Sequence, residues 1–259
     1  MNVTTSNVVS LTKLPAAILQ KEAHPDRSER YVHINTREII TYMEKEGYEV
    51  SNVQVTGSRS KARDPLFARH QVTLRNPTLP KIGGVVPQFL FTNSHDGSTS
   101  AQVLYGAFRF VCSNGLVVGT TFGKERVRHT GDAATTLIER IRMMAKNTAP
   151  LFDKIERWSK IEITDRRALK FAQLASVLRW GDPHRFDAKA VLQARRPEDE
   201  LNTLWTVFNR VQENAVRGGL VGLSPSGRQA TSRPLSDIAS SNNFNANLWR
   251  LAEDFAALA

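Results

Sequence analysis

Near residue 130 the hydrophobic period of this chain changes, and few folds accommodate such a change. Before it, short segments alternate apolar and polar residues: "YEVSNVQVTG", "HQVTLRN", "QFLFTNS", "AQVLYGAFRFVC" and "LVVGTTF". Turn signals separate them, with Asp96-Gly97 and Asn114-Gly115 the sharpest. A period of two places successive side chains on opposite faces of a strand. After it, Ala134, Leu137, Ile141, Met144, Thr148, Leu151, Ile155 and Trp158 recur at steps of three and four, which marks one face of a helix. The expected class is α+β: an antiparallel β-meander sheet from the first half, packed by helices of the second half.

Local signals refine this order. Asn35 and Glu38 have the spacing of a capping box ahead of Ile39, Ile40 and Met43, and Gly47 suits the position past that helix. Pro150 divides the apolar stripe into two helices or kinks a single one. Another helix starts near Thr164 and stops at Gly181. A third takes Pro197 and the following acids into its first turn, shows Leu201, Leu204, Trp205, Phe208 and Val211 on its apolar face, and ends at Gly218-Gly219. "ANLWRLAEDFAALA" closes the chain as a short helix. Residues 1–28 read as an N-terminal arm, and 29–259 as a single α+β domain with a mobile loop at about 220–243, rich in Gly, Ser and Pro.

Charge narrows the partners. Lys and Arg number 35 against 25 acids, a net charge of +10, and such a balance favours polyanions. Cys112 is the one cysteine and the six histidines are scattered along the chain, so no zinc or other metal site is expected. His95-Asp96 is the pair that a metal-dependent nuclease would use. Neither a phosphate-binding loop nor a dinucleotide fingerprint is present, and no cofactor is expected. The N-terminal sequence lacks the pattern of a secretory leader, and no apolar run reaches the roughly 20 residues a membrane helix needs. A cytoplasmic protein with no membrane partner is the expectation. A self-association seam along the helical stripe keeps a homo-oligomer open.

Within the strand-like "FRFVCSNGLVVG", Arg109 stands among apolar neighbours. Either it pairs with a buried acid or it reaches a ligand anion, since a guanidinium fork matches both. Arg59, Lys61 and Arg63 are spaced by two in one basic loop; Lys124, Arg126 and Arg128 repeat that spacing downstream. These cations, with Arg109, the Asn114 turn and Arg217 at the head of an acid-free stretch to Ser236, are the candidate DNA-binding residues. Tyr105, Tyr31 and Phe122 are the candidate surfaces for bases to stack on. No catalytic residue emerges, so a binding protein is expected over an enzyme.

The ordered motifs "RSERY" (27–31), "TNSHDGSTSAQVL" (92–104), "FRFVCSNGLVVG" (108–119) and "LWTVFNRVQENAVRGG" (204–219) resemble the phage- and plasmid-associated domain-of-unknown-function family 932, which includes small prophage proteins of enteric bacteria. The resemblance runs from about residue 25 over nearly the whole chain, and it implies a mobile-element protein of the bacterial cytoplasm. Strand-annealing proteins of the RecT type combine a meander, packed helices and a basic groove without nucleotide, an analogy at the level of fold. The expected function is therefore nucleic-acid binding, with single-stranded DNA favoured and strand annealing in phage or plasmid recombination as its setting. The alternatives are a protein-interaction factor that inhibits a host defence complex, and the metal-dependent nuclease.

Overall fold

A computed structural model describes residues 14–56, 64–79, 86–110, 117–146, 149–224 and 226–259; for residues 107–110, 117–123 and 149–151 it describes the backbone alone. The chain divides into two compact units. Among the described residues the first holds 14–56, 64–79, 86–106 and 122–146, and the second holds 107–110, 117–121, 149–224 and 226–259.

Five strands follow one another as a meander: β1 (Glu49–Val55), β2 (His70–Arg75), β3 (Val86–Asn93), β4 (Ala101–Phe110) and β5 (Val117–Val127). Their order in the sheet is their order in the chain, so every strand lies beside its sequence neighbours. β1 pairs antiparallel with β2, with a register shift between Val50 and Asn52, and β2 pairs antiparallel with β3 from His70↔Asn93 to Arg75↔Gln88. Central position shows in burial: His70 to Leu74 and Pro87 to Asn93 are all buried. The α+β class and the meander expected from the alternating segments are what the chain adopts.

Among the described residues, three α-helices and a 3-10 turn at Pro65–Phe67 also belong to the first unit. Helix α2 (Thr36–Lys45) begins where Asn35 Oδ1 accepts from the backbone N–H groups of Arg37 and Glu38, and it buries Ile39, Ile40 and Met43. Gly47 follows at φ 85°, in the left-handed region that favours glycine. The residues read as an arm contribute to the core from Leu14 onward: α1 (Ala16–Leu19) buries Ala17 and Ile18. Helix α3 (Ala133–Lys146) buries Leu137 and Ile141, while Arg140 pairs with Glu125 of β5 and Arg142 Nε donates to the Tyr42 hydroxyl at 2.6 Å.

The second unit is mainly helical. The stripe read across residue 150 is two helices, with Pro150 in the first turn of α4 (Ala149–Lys160), where a missing N–H costs nothing. Helix α5 (Asp165–Trp180) is capped by Thr164 and ended by Gly181 at φ 76°, and the short α6 (Ala188–Val191) follows. Helix α7 starts later than expected, at Leu204, and runs to Arg217. Thr203 caps it, accepting from Thr206 N–H while the Thr206 side chain accepts from Thr203 N–H. This reciprocal cap outcompetes Pro197, which instead opens a separate 3-10 turn, and Leu201 is left exposed rather than on the apolar face. A hairpin of β6 (Val221–Leu223) and β7 (Gln229–Thr231) occupies much of the stretch expected as loop, and α8 (Ile238–Ala257) starts well before "ANLWR". Trp158, Trp205, Phe208 and Trp249 form the aromatic centre of this unit, with 4.0 Å between the Trp158 and Trp249 ring centroids.

Candidate nucleic-acid interface

The end of β5 and the two residues after it sort by parity. Lys124, Arg126 and Arg128 are exposed, whereas Glu125 is half-buried and Val127 and His129 are buried. The alternation is that of an extended chain, in which side chains two apart share a face. Glu125 and Arg140 neutralise each other on the α3 side. The other side carries three cations in a row with no ion pair among the described residues. Sheet order leaves β5 at an edge, so the row lies along a border of the sheet. The sequence placed Lys124, Arg126 and Arg128 together, and the structure assembles them.

Other expected residues are distributed differently. Arg59, Lys61, Arg63 and Asn114 lie outside the described residues, as do the side chains of Arg109 and Phe122. Arg217 belongs to the second unit, with Nη1 3.9 Å from Glu213 Oε1. Tyr105 does not serve as a surface for bases: it is 2% exposed, and its ring lies against Phe89 with centroids 4.3 Å apart. Packing in the sheet core accounts for it, and the same burial raises its phenol well above the ordinary value. Tyr31 is half-buried, stacked on the His129 ring at 4.6 Å, and its hydroxyl donates to the Ser94 carbonyl at 3.0 Å. Burial pushes its phenol up to about 12.

The basic row ends at a group of histidines that their sequence spacing did not announce. His33 and His95 have ring centroids 4.6 Å apart, and His70 and His95 5.1 Å apart. The backbone N–H of His24 donates to the His95 carbonyl at 2.9 Å. His129 Nδ1–H donates to the Val32 carbonyl at 3.0 Å, while Val32 N–H donates to the His129 carbonyl at 2.8 Å. Five of the six histidines thus belong to one neighbourhood of the first unit. No periodic pattern links positions 24, 33, 70, 95 and 129; only strand pairing and the return of the chain after β5 bring them together.

Burial governs the chemistry of this group. It lowers His70 to about 4 against the partial compensation of the Ala68 carbonyl, and it lowers His95 to about 3, with His70 and His33 adding repulsion. His33 and His129 are lowered too, first by burial. All four are therefore neutral at pH 7. Among the described residues no three His, Cys, Asp or Glu side chains are arranged to hold a metal ion. What the group does in this arrangement is fasten residues 24–33 to the sheet and to the end of β5. No helix among the described residues is long and apolar enough to cross a membrane.

Residues 23–249 match the family described as Domain of unknown function (DUF932). Two relatives from Escherichia coli (strain K12), UPF0380 protein YafZ and UPF0380 protein YfjQ, are each 32% identical over 251 residues, covering 94% of this chain and 89% of the relative. No solved structure matches the chain. The chain belongs to the DUF932 family.

Proposed function

We propose that this DUF932 chain is a mobile-element protein of the bacterial cytoplasm that binds nucleic acid, single-stranded DNA in preference, through the exposed row Lys124, Arg126 and Arg128. The carrying observation is that three successive outward positions, Lys124 and Arg126 on β5 and Arg128 just past its end, are all cationic while the inward Glu125 is already neutralised by Arg140. Three like charges two residues apart repel one another. An extended polyanion offsets that repulsion and releases its own counterions. The net charge of +10 draws such a ligand from a distance. Strand annealing is the activity class this binding serves, with no nucleotide or metal taking part.

The test is titration of labelled oligothymidylate with purified protein across a salt series. Each phosphate contact on a single strand contributes a slope of about 0.7 in the logarithm of affinity against the logarithm of salt. Lys124→Ala/Arg126→Ala/Arg128→Ala should weaken binding and flatten that slope by about 2. Salt-insensitive binding, or none by the wild type, sinks the proposal and shifts weight to the protein-interaction reading. Strand cleavage that requires magnesium or manganese would replace it with the nuclease.

A further inference from the structure

The second unit holds its own concentration of guanidinium groups, organised by side chains that are themselves buried. Helix α7 is buried on its polar as well as its apolar positions: Asn209, Gln212, Glu213 and Asn214 all lie inside. Glu213, 4% exposed, accepts from Arg196 Nε at Oε2 (3.1 Å), and its Oε1 stands 3.9 Å from Arg217 Nη1. One residue on, Asn214 Oδ1 accepts from Arg195 Nε at 2.5 Å. Asn214 Nδ2 in turn donates to the carbonyls of Val191 and Gln193, both at 2.9 Å, so the amide cannot rotate away.

The charges do not cancel. Arg196, at hydrogen-bond distance, balances Glu213. Arg195 is held by a neutral amide and stays exposed with its full charge, and Arg217 stands at the long limit of an ion pair with 46% of its side chain accessible. The backbone of a further arginine, Arg233, passes the same end of α7. Gly218, at φ 75°, lies so close to the backbone of Arg233 that a Cβ there would sit 2.7 Å from the Arg233 carbonyl carbon. Arg179 fixes that approach, donating from Nε to the Ala215 carbonyl and from Nη2 to the Arg233 carbonyl, each at 3.2 Å. Arg233 itself is exposed, and no acid occurs between Asn214 and Ser236. The helix dipole adds roughly half a negative charge at this end of α7, too little to offset three guanidinium groups.

A structural clip would need one arginine on one carboxylate. Here the single carboxylate of Glu213 is shared by Arg196 and Arg217, and neutral Asn214 holds Arg195, so the buried pair gathers three guanidinium groups around one negative charge, an excess suited to an anion. We infer that the C-terminal end of α7 is a second phosphate-binding surface, in which Arg195, Arg217 and Arg233 take backbone phosphates of a polynucleotide. The inference rests on the nucleic-acid reading and deepens it: the second unit carries a phosphate-binding surface of its own. Arg195 and Arg217 are binding residues, and Glu213 and Asn214 position them.

Labelled oligothymidylate and the full chain provide the test. Arg195→Gln/Arg217→Gln/Arg233→Gln should flatten the salt slope by about 2, three contacts at about 0.7 each. Arg195→Lys alone keeps the charge and should keep the slope within error. Thermal melting of each variant separates lost contacts from lost fold; if the triple variant melts early, Arg233→Glu alone, at an exposed site, must still reduce affinity several-fold. Wild-type binding that falls with the β5 substitutions but not with those at α7 overturns this inference and leaves the proposed function standing. A wild type that binds no DNA removes both.

Discussion

Thr36 Oγ1 and His70 Nε2 lie 2.8 Å apart, and this contact fixes the proton positions of a buried hydrogen-bond chain. The Ala68 carbonyl can only accept, so His70 carries its proton on Nδ1 and donates there at 2.9 Å. Nε2 is then the acceptor, and Thr36 donates to it. Thr36 in turn accepts from Asn93 Nδ2 at 3.0 Å, and the other Asn93 Nδ2 bond goes to the Ile34 carbonyl at 2.9 Å. The first residue of α2 is thereby bonded to β2 and to β3.

Thr36→Val keeps the shape and removes the hydroxyl. It leaves His70 Nε2 without its donor and Asn93 without one acceptor, both in buried surroundings. The expected cost is about 1–3 kcal/mol in denaturant unfolding. Unchanged stability would mean that the chain is not the joint described here.

Acid should loosen the first unit. His70 and His95 sit at about 4 and about 3 in the folded protein, below the ordinary value near 6.5 that an unfolded chain restores. Between those values the unfolded state binds more protons, so stability is complete above pH 6.5 and falls as pH falls towards 4. His70 alone accounts for a loss on the order of 3 kcal/mol across that window. Urea midpoints at pH 7.5 and pH 5 should differ in that direction, and His70→Gln should shrink the difference.

Trp158→Ala should be the most damaging substitution in α4. The ring is 2% exposed and packs against Trp205, Phe208 and Trp249. A loss of about 3–5 kcal/mol is expected for an aromatic truncated to alanine in such surroundings. Thermal melting measures it, and a shift within that of a surface control would contradict the packing.

Gly222→Ala should detach the β6–β7 hairpin. The added Cβ would lie 2.2 Å from the Arg185 carbonyl oxygen and 2.6 Å from the Phe186 ring, where the hairpin bridges to Phe186. Trypsin should cut after Arg228, which is exposed in the turn, whereas Arg233 precedes Pro234 and forms a bond trypsin does not cut. In the variant cleavage after Arg228 should become faster, because the hairpin that carries it is no longer held against Phe186.

The sequence made some of these features readable and left others hidden, for physical reasons. Asn35, Gly47, Thr164 and Gly181 act on their own neighbours in the chain, so their roles as helix stops and starts could be read locally. The β5 row could be read because alternation alone decides it. Tyr105 could not, since the same strand pattern fits either face and only Phe89, sixteen residues earlier, shows which one is filled. The late start of α7 depended on competition between two caps, and composition hid the β6–β7 hairpin behind Gly and Ser. The histidine group and the Glu213–Asn214 anchor arise from contacts across many residues, which no window of sequence contains.

The reciprocal bonds between Val32 and His129 also bear on the order in which the protein can be built. Synthesis delivers Val32 nearly one hundred residues before its partner. At about 5–20 residues per second, the segment carrying His24, Tyr31 and His33 waits several seconds for the strand end that closes over it. Until then β2 and β3 can pair, but the side of the group that His129 completes stays open to water. Closure of the first unit is therefore timed by the emergence of "RVRHTG", and an arrested chain ending before His129 should retain solvent-exposed histidines that the finished protein hides.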